Sequence, residues 1–531
     1  MQNKSRVWAV VSVLFLTMSF LVALAFAELA PRPASAHRHA TGDQPELTAT
    51  PIDVSGVHVE TTANLSNTVY LPITLLDSRQ DITSTEGVTE TNTVTDTDNL
   101  TDTSGYTPSV LTPISATIFG IESLAYTPAS LEKVSAVASW TRVNALDWSL
   151  VEPTPGERLW NTTRVEDALR RASELNLKVV LIIRGTPAWA QKTPGSVCGP
   201  VKADQLAAFA KFVYDAVARY SAPPFNVKYW EIGNEPDAPV NTTHVVWGCW
   251  GDPKDYYYGA AYYTSALKLA YAQVKAADAQ SQVLLGGLLA NCDPVKPPAG
   301  QNCSSSRFLE GVLKNGGGSY FDGVSFHTYE YYSSLGRWGN ANWNSRYNTT
   351  GPVLIAKARF IKKTLSTYKV TGKFLMDTEV GLLCTPCSAL MQHELGKAWY
   401  MPEMYAAALS EGVQTALWFS LEGWLNTQLV DGSLNSLPGY DALRVARNKF
   451  GTATYLGRIT STDVGGVYGI TGYKFKQGNR TLWLVRSTDT LKRSLKLATL
   501  PTTMSDPLGN PILPSRNPAM TLQPVYIEWV M

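Results

Sequence analysis

Two glutamate-bearing strings supply the clearest chemistry in this 531-residue chain: Trp230-Glu-Ile-Gly-Asn-Glu235-Pro and Phe374-Leu-Met-Asp-Thr-Glu379-Val-Gly. Each is an apolar run that ends in a carboxylate, and the two carboxylates stand 379 − 235 = 144 residues apart. A short apolar run reads as a buried parallel strand, and α/β folds place their chemistry at the C-terminal ends of such strands. Two glutamates delivered there suit cleavage of a glycosidic bond. One must be protonated to release the leaving group, and the other ionised to attack or to activate water.

The elements that would position them alternate along the middle of the chain. Apolar runs occur at 116–122, 139–146, 178–184, 227–233, 283–288, 323–327, 373–377 and 413–420. Amphipathic helical stretches at 165–175, 203–220, 256–277, 353–368 and 398–411 lie between them. Eight strands alternating with helices predict an α/β fold, a (β/α)8 TIM barrel over residues 114–451, with Glu235 and Glu379 on the fourth and seventh runs. An open doubly wound sheet is the alternative, lowered by the lack of a glycine-rich loop after the first run.

The flanks differ. Lys4 and Arg6 precede an apolar stretch from Val7 to Ala27, and Ala25-Phe-Ala27 offers a small-x-small site. Residues 1–27 therefore read as a signal peptide or, if uncleaved, a membrane anchor. Residues 28–113, rich in Thr, Ser, Asp and Pro, bury too little apolar surface to fold and read as a linker. After 452, strand-like segments around Gln477-Gly-Asn-Arg480 predict a hairpin within a small C-terminal β-sandwich domain.

Composition narrows the partners. A net charge of +1 with 17% charged residues argues against nucleic acid. Six cysteines, all between 198 and 387, suit disulfides in an oxidising compartment. Local pairing joins Cys292 to Cys303 and Cys384 to Cys387, leaving Cys198 for Cys249. Zinc is the competing reading of Cys384-Thr-Pro-Cys387, weakened by the lack of a second C-x-x-C and of a histidine at ligand spacing. A secreted or cell-surface-anchored monomer that needs no cofactor is expected, with a polysaccharide or oligosaccharide as its partner.

The chain resembles the retaining glycoside hydrolases of clan A, and within that clan the family 39 and family 5 types. Phe119-Gly-Ile-Glu122, the Trp148 to Trp160 segment, Thr186-Pro-Ala-Trp189-Ala and His327-Thr-Tyr329 add to the two glutamate strings over about residues 114–450. The resemblance implies Glu235 as acid/base and Glu379 as nucleophile. It also implies Arg142 as the cation beside Glu379 and Asn234 as the partner of the sugar 2-hydroxyl. Tyr329 would bond the nucleophile, His327 and Trp189 would line the sugar site, and Trp418 would form its floor. His327 and Trp418 have plainer readings as core residues, and Arg142 as the partner of any barrel carboxylate. Asp377 is the first rival nucleophile, because strand alternation points it the same way as Glu379; Glu330 is a second decoy. Trp247, Trp250, Tyr331, Tyr332, Trp338 and Trp343 either line a sugar groove or cap a hydrophobic mini-core. A binding protein on an inactive barrel and a transglycosylase remain the alternative functions.

Overall fold

The structure, a computed structural model, describes residues 118–160, 164–243, 248–343 and 351–530. The expected signal or anchor segment and the linker lie outside the described residues. Among the described residues no helix is long and apolar enough to cross a membrane.

Eight parallel strands close a barrel. They are β1 (Phe119–Glu122), β2 (Trp140–Asp147), β3 (Lys178–Arg184), β4 (Tyr229–Asn234), β5 (Gln282–Leu288), β6 (Gly323–Ser334), β7 (Phe374–Leu383) and β8 (Thr415–Phe419). Each pairs in parallel with the next, and β8 returns to β1 through Phe119↔Ala416 to Glu122↔Phe419. A helix follows every strand: α1 (Pro128–Ser135), α2 (Val165–Glu174), α3 (Leu206–Tyr220), α4 (Ala260–Ala277), α5 (Phe308–Lys314), α6 (Val353–Thr367), α7 (Leu390–Ser410) and α8 (Pro438–Phe450). The expected barrel is the observed one.

Local sequence explains the elements. The β3 string Lys-Val-Val-Leu-Ile-Ile-Arg is buried along its apolar centre, as a strand covered on both faces requires. In α1, the Thr127 hydroxyl accepts from the Ser130 amide at 3.1 Å and Pro128 opens the first turn, a normal start signal. In α2, Val165, Ala168, Leu169 and Ala172 bury one face at helical spacing.

Two strands run further than the sequence indicates. β6 and β7 stay paired from Thr328↔Val380 to Tyr331↔Leu383, beyond the apolar runs that end at 327 and 377. Val380, Leu382 and Leu383 are buried, so this extension has its own apolar support. A short return strand, Arg337–Gly339, completes the ribbon. Glu379 therefore sits inside its strand rather than at its end.

After α8 come β9 (Thr454–Arg458), β10 (Ile470–Gln477), β11 (Arg480–Ser487), β12 (Arg493–Ser494), β13 (Thr503–Ser505), β14 (Pro511–Ile512), β15 (Ala519–Met520) and β16 (Val525–Val530). They make a six-stranded antiparallel sheet, ordered β9-β10-β11-β16-β13-β14, and the two-stranded β12–β15 pair. Gln477 faces Arg480, so Gly478-Asn479 is the two-residue hairpin loop that the sequence indicates, with Gly478 at φ 59°. One face of the sheet joins the barrel's core through Phe475, Leu482, Leu484 and Tyr526, where Phe450 of α8 packs on Phe475 and Tyr526. Val464, Val485, Leu495, Met520 and Ile527 form a separate small core.

Candidate active site

The barrel interior is built in two levels. Its floor is apolar: Trp140, Val180, Leu284, Met376 and Leu417 are fully buried together, with Tyr229 and Phe374 against them. Strand alternation then sends the next inward residues of β2 and β4, Arg142 and Glu231, to the level above. Arg142 is fully buried and all its partners are acceptors. Its Nε donates to Glu231 Oε2 at 2.7 Å, Nη1 to Glu379 Oε1 at 2.5 Å and to Glu122 Oε2 at 3.1 Å, and Nη2 to Asn234 Oδ1 at 2.6 Å. One guanidinium thus ties together β1, β2, β4 and β7.

Glu235 follows β4 through a tight backbone. Gly233 has φ 80° and Glu235 itself has φ 47°, a left-handed conformation that costs free energy for a side chain of this kind. The turn is held by the Glu235 amide donating to the Gly287 carbonyl at 2.9 Å. Gly248 lies so close that an added Cβ would sit 1.5 Å from the Asn234 carbonyl oxygen, so that position takes no side chain.

His327 stands between the two glutamates. Its Nδ1 is 2.9 Å from Glu235 Oε1 and 3.5 Å from Glu379 Oε2. The three side chains offer ligand atoms all within 4.8 Å of one another, so an oxygen of Glu235 and an oxygen of Glu379 are no further apart than that. Tyr329 Oη donates to Glu379 Oε2 at 2.5 Å. Glutamate, histidine and glutamate are metal-ligand types, but the Arg142 guanidinium already supplies positive charge at Glu379. The grouping suits hydrogen bonding better than a cation.

Burial sets the electrostatics. Glu235 is pushed up to about 7, chiefly by burial, against the pull of Arg142 and Lys357 and with a further push from Glu231. Its carboxyl therefore holds a proton well above the ordinary carboxylate range. Burial lowers His327 to about 4 despite the attraction of Glu379, so its imidazole is neutral near pH 7. When Glu235 is ionised, the Nδ1–H of His327 donates to it; when Glu235 is protonated, its O–H can donate to Nδ1 instead. Burial, then Glu379, push the Tyr329 phenol well above its usual value, which keeps it a donor.

The structure brings Glu235, Glu379, Asn234, Arg142, His327 and Tyr329 together. It places other expected residues elsewhere. Asp377 does not share the face of Glu379, because the β6–β7 ladder slips between Phe326↔Asp377 and His327↔Glu379. Thr378 is the extra residue of that bulge, which breaks the alternation on which the rivalry rested. Asp377 accepts from Thr328 Oγ1 and feels Lys357 of α6, while Thr378 Oγ1 donates to Glu231 at 3.1 Å. Glu330 is likewise buried, against Tyr400 of α7.

Trp418 is not a floor for a bound sugar. It is 0% exposed, its Nε1 donates to the Thr427 carbonyl at 2.8 Å, and its ring faces Tyr400. The next residue, Phe419, pairs in register with Glu122 and approaches Tyr329 with a centroid separation of 6.4 Å. Trp189 is half-buried. It packs edge-on against Trp148 and donates through Nε1 to the Glu152 carbonyl at 3.0 Å, which fixes the loop after β3.

Among the loop aromatics, Trp247 lies outside the described residues. Trp343 is fully buried and donates to the Ala290 carbonyl at 2.7 Å, whereas Trp338 packs on Tyr400 and Trp250 on Tyr263. Trp343 belongs to the main core, and Trp250 and Trp338 pack against it. The cysteines pair as Cys198–Cys249, Cys292–Cys303 and Cys384–Cys387, with none left free. A histidine does lie beside the C-x-x-C: His393, on α7, brings a ring nitrogen within 4.8 Å of Cys384 and Cys387, although the two sulfurs are bonded to each other.

Several members of the site escape sequence reasoning. Glu231 lies four residues before Glu235 in the same string, and its spacing alone could have marked it. Gly287 faces inward beneath His327, where a Cβ would sit 2.2 Å from Nε2. Lys357, buried on α6, donates at 2.7 Å to both the Leu289 and His327 carbonyls and so pins β6 to the β5 loop. Trp424, in the loop after β8, is 40% exposed and stands 5.7 Å from Tyr329 and 6.0 Å from Phe419. Its loop is tied to the end of β7, since Asn426 Nδ2 donates to the Cys384 carbonyl at 2.7 Å.

No protein-family model and no curated protein matches the sequence. Solved structures do. A family 39 glycoside hydrolase from the gut symbiont Bacteroides cellulosilyticus WH2 superposes with a TM-score of 0.60 at 17% identity, covering 80% of this chain and 83% of that one. A family 30 subfamily 8 xylanase from Clostridium acetobutylicum gives 0.50 at 14% identity over 79% and 98% of the two chains. A conserved exported protein from Bacteroides fragilis gives 0.54 at 11% identity, with 78% and 98% covered. At these identities the likeness is one of fold, and the shared fold is the (β/α)8 barrel.

Proposed function

We propose that the chain is an exported retaining glycoside hydrolase that cleaves β-linked sugars in a polysaccharide or oligosaccharide by double displacement. The observation that carries this reading is the placement of Glu235 and Glu379, with oxygens within 4.8 Å of each other across His327. Retaining pairs stand about 5–5.5 Å apart, whereas inverting pairs stand about 6.5–9.5 Å apart to admit water. The structural likeness to family 39 and family 30 hydrolases supports the same class of reaction. Six cysteines in three disulfides support an exported chain.

In the first step Glu235, protonated near neutral pH, gives its proton to the glycosidic oxygen while Glu379 attacks the anomeric carbon. The C–O bond to the leaving group breaks and a glycosyl–Glu379 ester forms with inverted configuration. Glu235, now ionised, takes a proton from water, which attacks the same carbon and displaces Glu379. A second inversion restores the original configuration. Arg142 and Tyr329 each donate to one Glu379 oxygen, stabilising the departing carboxylate and aiming the lone pair that attacks. Asn234 spends its Oδ1 on Arg142, which leaves Nδ2 to donate to the sugar 2-hydroxyl, a bond that strengthens in the transition state. Phe419 and the exposed Trp424 form the aromatic wall of the subsite in place of Trp418.

A panel of aryl β-glycosides and natural oligosaccharides, followed by NMR of the first-formed product, tests the reading. Release of sugar with the substrate's anomeric configuration is expected. An inverted first product would make Glu379 a base rather than a nucleophile, and binding without turnover would favour the inactive-barrel alternative.

A further inference from the structure

The Arg142 cluster holds more acid than the reaction uses. Glu122, at the end of β1, is 0% exposed and has no role in either displacement step. Its Oε2 shares Arg142 Nη1 with Glu379, at 3.1 Å against 2.5 Å. Its Oε1 has no hydrogen-bond partner among the described residues. Glu231, by contrast, has a donor on each oxygen, Arg142 Nε and Thr378 Oγ1.

Charge counting makes the arrangement untenable if every group is ionised. Glu122, Glu231 and Glu379 would place three negative charges around one buried guanidinium. His327 is neutral there, and among the described residues no other cation hydrogen-bonds to any of the three. An unpaired buried charge is strongly disfavoured, so the group with the poorest donors protonates. That group is Glu122.

Building on the glycosidase reading, we propose that Glu122 works as a neutral, protonated carboxyl and acts as a positioning residue for the nucleophile. Uncharged, it leaves Arg142 committed to Glu379 and Glu231; once ionised, it draws the guanidinium toward β1 and weakens its hold on Glu379. The groups that face Glu122 are Arg142 of β2, Glu231 of β4 and Glu379 of β7. Tyr126 in the loop after β1 and Tyr329 of β6, both neutral phenols, also feel its charge. Phe419 of β8 stands beside it in register and brings no charge. Burial, only partly offset by Arg142, raises this carboxyl to about 8, the direction that the geometry requires.

The test separates Glu122 from Glu235 through the leaving group. A dinitrophenyl glycoside needs no general acid, so its kcat/KM does not depend on the Glu235 proton. The wild-type value should still fall above about pH 8, roughly tenfold per pH unit. Glu122→Gln, which mimics the neutral acid, should match wild type within about threefold at pH 6 and lose that alkaline limb. Glu122→Asp, which can still ionise, should keep one. An unchanged limb in Glu122→Gln, a hundredfold loss at pH 6, or failure of this isosteric neutral variant to fold would overturn the proposal. A second readout needs no substrate. In protein labelled with 13C at the glutamate side-chain carboxyl carbon, Cδ, the carboxyl resonance missing from Glu122→Gln should titrate above neutrality in the wild type. Titration in the ordinary carboxylate range would overturn the assignment. If no glycoside is turned over, the glycosidase reading fails, while the NMR midpoint still decides the protonation of Glu122.

Discussion

The lower and upper halves of the barrel interior are made by the same strands and obey opposite rules. Below, Trp140, Val180, Leu284, Met376 and Leu417 fill the space with no charged group. Above, one or two inward residues further along those strands, Arg142, Glu231 and Glu379 fill it with charge. The lower layer stabilises by removing apolar surface from water, about 25 cal/mol per Å². The upper layer gives up part of that stabilisation, because buried charges offset their desolvation only when every partner is in place. A barrel can carry such a layer because the floor beneath it and the helices around it keep the strands fixed. The contrast separates an apolar layer from a charged one along a single strand: β7 supplies Met376 to one and Glu379 to the other.

The largest test of that separation is Glu379→Ala. Turnover should fall by at least about 10⁴-fold, the scale expected when a nucleophile is deleted. Added azide should restore part of it, giving a glycosyl azide of inverted configuration. Full activity in this variant, or rescue confined to Asp377→Ala, would move the nucleophile to the other side of the Thr378 bulge. Glu235→Gln should cost about 10²–10⁴-fold on natural glycosides and far less on dinitrophenyl glycosides. Equal losses on both would remove it as the acid.

The lower layer should answer in the opposite currency. Met376→Ala should lose about 2–5 kcal/mol in urea unfolding while kcat at 25 °C changes little. A large loss of kcat in a folded Met376→Ala would mean that the floor is part of the chemistry. Buried titratable groups, in the upper layer and outside it, should also make stability depend on pH. Burial holds Glu122 and Glu330 at about 8 from an unfolded value of 4.5. Between these values the folded state binds more protons than the unfolded one, so stability falls as pH rises. His327 and His393, both lowered to about 4, oppose this only below their unfolded value of 6.5. From pH 6.5 to 8 the chain should therefore lose about 2–4 kcal/mol, read as a falling unfolding midpoint. A flat or rising midpoint over that window would show that these carboxyls are ionised in the folded state. The smallest effect concerns the rim of the site. Trp424→Ala should raise KM roughly tenfold, the loss of about 1.5 kcal/mol of aromatic contact, with kcat nearly unchanged.

Much of this was legible in the chain before folding. Eight apolar runs at helix-spaced intervals indicate parallel strands covered by helices on both faces, and the lack of a glycine-rich loop after the first run favours the barrel over an open sheet. The strings around Glu235 and Glu379 place their carboxylates on strands 4 and 7, and the cysteine spacing indicates the three bridges that form. Such features are local: period, run length and turn chemistry act over a few residues. What only the tertiary structure decided depends on register between distant strands. The Thr378 bulge turns Asp377 away from Glu379, although alternation along the sequence puts them on one face. The pairing of Glu122 with Phe419 sets Phe419 beside Tyr329 and leaves Trp418 outside, one residue away. Three carboxylates from β1, β4 and β7 converge on Arg142 only because barrel closure brings those strands around a common axis. Which of them keeps a proton is then set by the donors each one meets, a property of the assembled layer and of no single segment.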